Sequence, residues 1–211
     1  MDLTIYGLAL SRAGRCLWAL EELGTDYAHV PTNFMGENKT PEFLAINPNG
    51  RLPALKHGDL CLFESMAINL YLARAFGRGG LQPDNEAGAA QAVQWSFWVM
   101  TECEQPLLHA LFHSLGIMEF EQSPAKVQEQ RDKLEEPLGV LNGALAGREY
   151  LVGSRFTIAD LNVASVYLWA TMAQVDLSAH SNANAWLARC LDRPARQKVG
   201  ETAKAEMAKL G

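Results

Sequence analysis

Three polar residues in the first third of the chain are spaced so that they could hold a small charged ligand. Glu64 and Ser65 stand where a β-rich run ends and a helical pattern begins. The exposed N–H groups of a helix start attract a carboxylate, and a neighbouring Glu carboxylate attracts an ammonium group. The pair can therefore bind the head group of an α-amino acid, and Lys39 can pair with a second carboxylate. The alternative is that Ser65 only caps the helix and Glu64 lies at the surface.

A hydroxyl group lies in the loop that follows the first predicted strand. Ser11 precedes a helical pattern that begins near Gly14. There it faces the positive end of the helix, where it can donate a hydrogen bond to a thiolate and favour the ionised form of that thiol. The alternative is that Ser11 serves only as a helix cap.

A proline-containing turn also bears on binding. Residues 47–55 read Asn-Pro-Asn-Gly-Arg-Leu-Pro-Ala-Leu, which is a turn that runs into a strand. Pro53 has no N–H to donate, so it belongs at the first residue of that strand or at a sheet edge. A cis Leu52–Pro53 bond would turn the N–H and C=O groups of Leu52 towards solvent, where an extended peptide can pair with them. A trans proline that ends the loop is the alternative.

Alternating strand and helix patterns in residues 1–80 must position these groups. We predict strands at 3–6, 27–30, 53–56 and 60–63, and helices at 14–23, from 40 onwards and at 65–75. The last two strands are joined by a Gly-containing turn, which is typical of a β-hairpin. The order β-α-β-α-β-β-α predicts a mixed sheet with helices packed on it.

Strand patterns vanish in the rest of the chain. We predict helices at 89–111, 124–146, 157–172, 183–191 and 194–210. A Gly- and Pro-containing stretch over 77–84 marks the boundary between the two halves. The sequence therefore predicts a first domain at 1–78, a linker at 79–86 and an all-α second domain at 87–211.

The best-defined local motif lies at the start of one of these helices. Thr157 can cap the helix, and Asp160 can reach back to the Thr157 N–H, with Asp in place of the usual Glu of a capping box. Phe156 and Leu161 are placed to form a hydrophobic staple. We interpret this motif as a structural cap without a chemical role.

Composition excludes several classes of protein. The 211 residues are 48% hydrophobic and 20% charged, with a net charge of −6, which is typical of a folded globular protein rather than a disordered one. The acidic balance and the lack of a dense basic run argue against nucleic-acid binding. The chain opens on no signal-peptide pattern, and no apolar run approaches the ~20 residues of a membrane span. We expect a cytoplasmic protein without a membrane partner.

The cysteines and histidines suggest no metal site. The four cysteines form no CxxC pair and no zinc-ligand spacing, so we expect packed thiols in a reducing compartment. His109 and His113 are spaced i, i+4 on a predicted helix, but no third ligand is evident nearby.

Three stretches, in this order along the chain, resemble motifs of the cytosolic glutathione transferases. The first is segment 47–55, which is similar to the segment that leads into the family's cis-proline. The second is Glu64-Ser65 with the Met-Ala-Ile that follows, and the third is the capping box at 154–160. The resemblance spans essentially the whole chain. It implies a thioredoxin-like first domain and an all-helical second domain.

The resemblance also implies that glutathione is the co-substrate. The residues that it places around glutathione are Asn38, Lys39, Arg51, Leu52, Pro53, Glu64 and Ser65. By resemblance, Leu52 before a cis-proline pairs with the cysteinyl backbone, and the Glu-Ser pair binds the γ-glutamyl amine and carboxylate. Some classes bind the glycyl carboxylate with a His-Lys pair. Asn38 departs from that pattern, while Lys39 keeps it, and Arg51 borders the same groove.

The resemblance offers two candidates for the residue that activates the thiol. Serine and cysteine classes carry it in the loop after the first strand, where this chain has Ser11. Tyrosine classes carry it at the end of that strand, where this chain has Tyr6. We favour Ser11, and because its sequence context differs from the usual one, Arg12 or backbone amides could share the work. Cys16 lies inside the predicted helix, where we expect it to be packed.

The resemblance implies a transferase that acts in detoxification and forms a homodimer. Its thiolate would attack an apolar electrophile. Candidates for the electrophile site are Leu8 and Leu10 in the first domain and Trp98 and His109 in the second. The alternative functions are a non-catalytic glutathione-binding scaffold or regulatory protein of the same fold, and a glutathione-dependent isomerase or dehalogenase. These share the fold, which does not separate them.

Overall fold

A computed structural model describes residues 2–78 and 80–210. The chain divides into two compact units, one made of Met1–Gln82 with Arg193–Gly211 and the other of Pro83–Asp192. The division between Gln82 and Pro83 lies inside the stretch that the sequence marks as a linker. The C-terminal segment differs from the sequence-based boundaries, because it groups with the first unit rather than with the second.

The first unit carries the predicted order of strands and helices. Its elements along the chain are β1 (Leu3–Tyr6), α1 (Ala13–Leu23), β2 (Ala28–Val30), a 3₁₀ turn (Glu37–Lys39), α2 (Pro41–Leu44), β3 (Ala54–His57), β4 (Leu60–Phe63) and α3 (Ser65–Phe76). The strands form one sheet in the order β2-β1-β3-β4. β1 runs parallel to β2 and antiparallel to β3, and β3 runs antiparallel to β4. The predicted mixed, thioredoxin-like sheet is confirmed.

The core of this unit lies between the sheet and the helices α1 and α3. Alternate residues of β1 are buried, as the period of two in a strand requires, and they include Leu3 and Ile5. Trp18, Leu20 and Ile68 are buried with them. The sheet and its helices therefore form a rigid base for the loops at the strand ends.

The second unit is helical throughout its described residues. Its elements are α4 (Glu86–Trp98), a π-helical stretch (Val99–Cys103), α5 (Glu104–Leu115), α6 (Pro124–Lys133), α7 (Glu135–Ala144), α8 (Ile158–Met172) and α9 (Ser181–Leu191). The helix predicted at 89–111 corresponds to α4 and α5, which are joined by the π-helical stretch. The prediction of a single helix at 124–146 is wrong, because the helix is interrupted at Leu134. Pro137 has no N–H to donate to the carbonyl one turn earlier, so the helical hydrogen-bond pattern is interrupted there.

The capping motif organises the second unit. The carboxylate of Asp160 accepts the backbone N–H of Thr157 at 3.0 Å and that of Leu151 at 2.8 Å. It also accepts the indole N–H of Trp186 at 2.9 Å. Burial raises the pKa of Asp160, and the three N–H donors oppose that rise. The side chain thus joins the α8 start, the preceding loop and α9.

The last helix, α10 (Pro194–Leu210), packs along α1 in the first unit. The Arg193 guanidinium donates to both carboxylate oxygens of Glu22, at 2.6 and 2.7 Å. Lys198 donates to Glu21 at 2.7 Å, and Val199 is buried. These contacts are the physical reason why the C-terminal segment belongs with the sheet domain.

Candidate active site

The turn before β3 is built by one buried asparagine. The Leu52–Pro53 peptide bond is cis. The Asn47 side chain, 1% exposed, donates to the Arg51 carbonyl at 2.7 Å and accepts the Asn49 N–H at 3.1 Å. Arg51 itself is exposed, and Leu52 is half-buried. Asn47 therefore shapes the segment that presents Leu52. Asn47 belongs to the motif at 47–55, but no local pattern in the sequence indicated this role.

Asn38 and Lys39 converge on the same turn. The Asn38 amide and the Lys39 ammonium group each donate to the Gly50 carbonyl at 2.8 Å. Gly50 has a φ of +56°, and a Cβ there would lie 2.8 Å from the Asn38 carbonyl oxygen, so only glycine fits. Asn38 is 6% exposed, while Lys39 is exposed. Lys39 therefore places a cation beside the turn, and Asn38 braces the turn from a buried position.

The start of α3 differs from the expectation that Ser65 caps it. Ser65 is already the first helical residue, and Glu64 occupies the cap position without a side-chain capping bond. Ser65 is 3% exposed, and its hydroxyl accepts from the guanidinium nitrogen Nη1 of buried Arg15 at 3.4 Å. The capping prediction is therefore wrong, because the Ser65 side chain turns inward towards α1. Arg15, which no motif in the sequence indicated, brings a positive charge to this helix start.

Glu64 has a backbone conformation that is unusual for a residue with a side chain. Its φ is +68° and its ψ is 113°. Such a conformation costs of order 1–3 kcal/mol and persists where the surroundings impose it, often at binding sites. Glu64 is exposed, so its carboxylate is accessible to an ammonium group at the start of α3.

Ser11 lies in the tight loop between β1 and α1. Its hydroxyl donates to the Leu8 carbonyl at 2.7 Å and accepts the Ala13 N–H at 3.1 Å. The Leu8 carbonyl also accepts the Ser11 N–H at 2.9 Å. If the hydroxyl proton turns towards another acceptor, Leu8 keeps a donor and the Ser11 oxygen keeps the Ala13 N–H. The loop therefore permits Ser11 to donate outward without leaving a polar group unpaired.

Gly7 brings Ser11 close to the segment before β3. A Cβ built on Gly7 would lie 3.6 Å from the Ser11 hydroxyl oxygen and 3.4 Å from the Leu52 Cβ. The same Cβ would lie 2.7 Å from the Ala13 Cβ, and Gly7 has a φ of +130°. Only glycine therefore allows this approach. Ser11 and Leu52 therefore both lie close to the backbone of Gly7.

The other two candidates near the thiol position differ in their surroundings. Tyr6 ends β1, and its ring contacts that of Phe43 edge-on, with centroids 6.1 Å apart. Cys16 is fully buried in α1, as expected, and its thiol lies 3.7 Å from the Ser65 carbonyl. Burial raises the pKa of the Cys16 thiol, although the neighbouring Arg15 charge opposes this. A buried, protonated thiol is not a nucleophile.

The four candidate electrophile residues lie in different units. Leu8 is buried and Leu10 is 49% exposed in the first unit. In the second unit, Trp98 packs against Trp95 with ring centroids 4.9 Å apart, and His109 packs against Phe120 at 5.1 Å. Trp98 and His109 are both half-buried. Their grouping into one electrophile site stays a prediction.

Residues 2–78 and 80–210 contain no group of three or more His, Cys, Asp or Glu side chains placed to hold a metal ion. Among the helices in those same residues, none has the length and apolar character needed to cross a membrane.

The first unit has a mixed four-stranded sheet, a cis-proline before β3 and a strained residue at the start of α3, and a helical unit follows it. These features define the class of two-domain thioredoxin-like proteins. Residues 1–74 match the family model "Glutathione S-transferase, N-terminal domain", and residues 105–194 match "Glutathione S-transferase, C-terminal domain".

Similar proteins agree with the two family models. The chain is 36% identical over 210 residues to glutathione S-transferase 1 of Zea mays, covering 95% of this chain and 96% of that protein. The structure of glutathione S-transferase I from maize, in complex with an atrazine glutathione conjugate, is 37% identical. The match covers 97% of this chain and 99% of the maize chain, with a TM-score of 0.85. Elongation factor 1-gamma of Sus scrofa is 34% identical over 174 residues, 80% of this chain but 39% of that protein.

The chain belongs to the glutathione S-transferase family. It is a glutathione transferase, and glutathione is its co-substrate.

Proposed function

We propose that this glutathione transferase uses Ser11 to hold the glutathione thiol as a thiolate. A free thiol has a pKa of about 8.5, so only a few per cent is ionised at neutral pH. Lowering that pKa by about two units makes most of it thiolate, at a differential interaction of about 2.7 kcal/mol. The observation that supports Ser11 is its hydroxyl, which accepts the Ala13 N–H at the start of α1 and donates a proton that can turn outward.

The residues around the thiol would hold the rest of glutathione. Leu52, before the cis-proline, would pair its backbone with the cysteinyl residue, as an added strand pairs with a sheet edge. Exposed Glu64 would bind the γ-glutamyl ammonium group, and the backbone N–H groups at the start of α3, beginning with that of Ser65, would bind the neighbouring carboxylate. Lys39, assisted by Arg51, would bind the glycyl carboxylate. In this proposal Asn38 braces the turn instead of contacting glutathione.

The reaction would be a nucleophilic attack by the bound thiolate. The sulfur forms a bond to an electrophilic carbon, and the leaving group departs with the bonding electron pair, or an activated double bond takes up the pair. The candidate side chains Leu8, Leu10, Trp98 and His109, three of them apolar, would hold the electrophile out of water. The conjugate in the maize structure supports an apolar aromatic electrophile as a first compound class to screen.

The first test replaces Ser11 by alanine and measures the pKa of the bound glutathione thiol from its thiolate absorbance. A charge-assisted hydrogen bond contributes about 1.5–3 kcal/mol, so S11A should raise that pKa by about one to two units and leave glutathione affinity nearly intact. Tyr6→Phe is the matched comparison, since it removes only the competing hydroxyl. An unchanged pKa in S11A, with a raised pKa in Y6F, would transfer the role to Tyr6.

The alternative functions give different results in the same experiments. A scaffold or regulatory protein would bind glutathione without lowering the thiol pKa, or would not bind it. An isomerase or dehalogenase would lower the pKa and return a product other than a stable conjugate. The match to nearly the full length of the maize transferase favours the transferase over a scaffold.

We infer that the protein forms a homodimer through α4. Val93 and Phe97 are one helical turn apart on that helix and are 41% and 69% exposed. Exposed aromatic and β-branched side chains at this spacing favour burial against a second copy.

A cytoplasmic location is proposed because the four cysteines are free thiols. Detoxification is the role proposed for conjugation of apolar electrophiles.

A further inference from the structure

A buried carboxylate on the C-terminal helix reaches the loop that carries Ser11. Glu206 lies on α10 and is 9% exposed. One of its oxygens, Oε2, accepts the backbone N–H of Ala9 at 2.7 Å, across 197 residues of sequence. A side chain as costly to bury as glutamate is found inside a protein only where it is paired and hydrogen-bonded. The partner here is a backbone group of the loop between β1 and α1.

A histidine on β2 completes the arrangement around Glu206. The His29 Nε2 atom lies 2.8 Å from the Gly7 carbonyl oxygen and 3.6 Å from the other Glu206 oxygen, Oε1. A carbonyl and a carboxylate only accept hydrogen bonds, so the contact with Gly7 requires a proton on Nε2. Gly7 also donates its N–H to the Val30 carbonyl at 3.0 Å. The loop is thus held at Gly7 from β2 and at Ala9 from α10.

The Ala9 N–H belongs to the same planar peptide group as the Leu8 carbonyl. Glu206 binds the N–H side of that plane, while the Ser11 hydroxyl and N–H bind the carbonyl side, at 2.7 and 2.9 Å. Because the two ends of a trans peptide group turn together, fixing the N–H fixes the direction of the carbonyl. Glu206 therefore sets the orientation of the group against which Ser11 is held.

We propose that Glu206 is a positioning residue for thiol activation, acting on Ser11 through the Leu8–Ala9 peptide group. This inference rests on the proposed role of Ser11. Without the carboxylate, the peptide plane is held only at its carbonyl side, by the Ser11 hydroxyl and N–H. When the hydroxyl turns towards the thiolate, a single hydrogen bond then remains to fix the plane, and the Ser11 hydroxyl loses its defined geometry. The effect falls on the ionisation of the bound thiol rather than on the residues that bind the ends of glutathione.

The experiment replaces Glu206 by alanine in the full chain and measures the pKa of bound glutathione and the steady-state constants. We expect E206A to raise the thiol pKa by about one unit, which lowers kcat/KM about threefold at neutral pH. The KM for glutathione should change less than twofold. E206Q keeps an oxygen that can accept the Ala9 N–H, so it should restore most of the activity. Glu201→Ala is the matched control, since Glu201 is an exposed carboxylate on the same helix.

A double-mutant cycle separates this inference from the proposed function. If Glu206 acts through Ser11, E206A adds little to the effect of S11A. Independent, additive effects on the thiol pKa, or an E206A protein with the wild-type pKa, would overturn the positioning role. A wild-type thiol pKa in S11A would instead overturn the proposed function of Ser11. If E206A fails to fold, the cycle is run with E206L, which also removes the acceptor of the Ala9 N–H but keeps an apolar side chain at this buried position. A wild-type thiol pKa in E206L counts against the inference.

Discussion

Replacing Gly14 by alanine would place a methyl group against the backbone of the Ser11 loop. A Cβ on Gly14 would lie 2.2 Å from the Ala9 carbonyl oxygen and 3.3 Å from the Ala9 carbonyl carbon. Ordinary contact begins near 3.4 Å, so the carbonyl would have to move by roughly 1 Å, and overpacking of this kind costs about 1–3 kcal/mol. The better helix propensity of alanine returns at most about 1 kcal/mol. We therefore expect G14A to lower the free energy of unfolding.

Gly139 provides the matched control for this substitution. It lies within α7, and a Cβ there would meet nothing within 4 Å. G139A should therefore raise the free energy of unfolding by up to about 1 kcal/mol. Urea denaturation of the three proteins measures the difference, and the pKa of bound glutathione in G14A reports the displacement of the loop. A G14A protein that is as stable as G139A, with a wild-type thiol pKa, would refute the idea that close packing at Gly14 holds the loop in place.

Two further predictions concern the binding residues and the oligomer. Glu64→Gly should weaken glutathione binding without lowering the melting temperature, because glycine relieves the positive φ at this position while the carboxylate is lost; a drop in melting temperature would show that the conformation carries no strain. Phe97→Asp should convert a dimer into a species of about 23.2 kDa in sedimentation experiments, while Gln91→Asp, at an exposed position on another face of the same helix, should not; a dimer that survives F97D would exclude the Val93 and Phe97 face.

The sequence was sufficient for most of the sheet domain because its signals there are local. The bounds of β1 and β4, Leu3–Tyr6 and Leu60–Phe63, match the predicted strands, since short β-rich runs between turn residues define them. The cis Leu52–Pro53 bond was expected only from the family resemblance. Spacing alone left a trans proline open, because nothing local distinguishes the two isomers.

The departures have physical causes that short-range patterns do not record. A capping role for Ser65 was one alternative that the sequence left open, but its hydroxyl instead meets Arg15, a residue 50 positions earlier in the chain. The break at Leu134 follows from Pro137, a local signal that the periodicity of the surrounding residues obscured. α10 was assigned to the helical half because its own pattern is helical, and a helical pattern does not indicate which unit the helix packs against.

Glu206 was missed for a related reason. It stands seven residues after buried Val199, so the two lie on the same face of α10. A charged residue on the buried face of a helix was the one sequence signal that pointed to it. Its partner, the Ala9 N–H, belongs to the backbone and leaves no trace in the sequence. Contacts between a side chain and a distant backbone group therefore have to be read from the structure.

The pKa of the glutathione thiol in complex with the wild-type protein tests the central claim most directly. The thiolate absorbs in the ultraviolet, so a pH titration of the complex gives this value without an electrophile. We expect a pKa clearly below the value of about 8.5 for a free thiol. Glutathione that binds with an ordinary thiol pKa would contradict activation by the Ser11 loop.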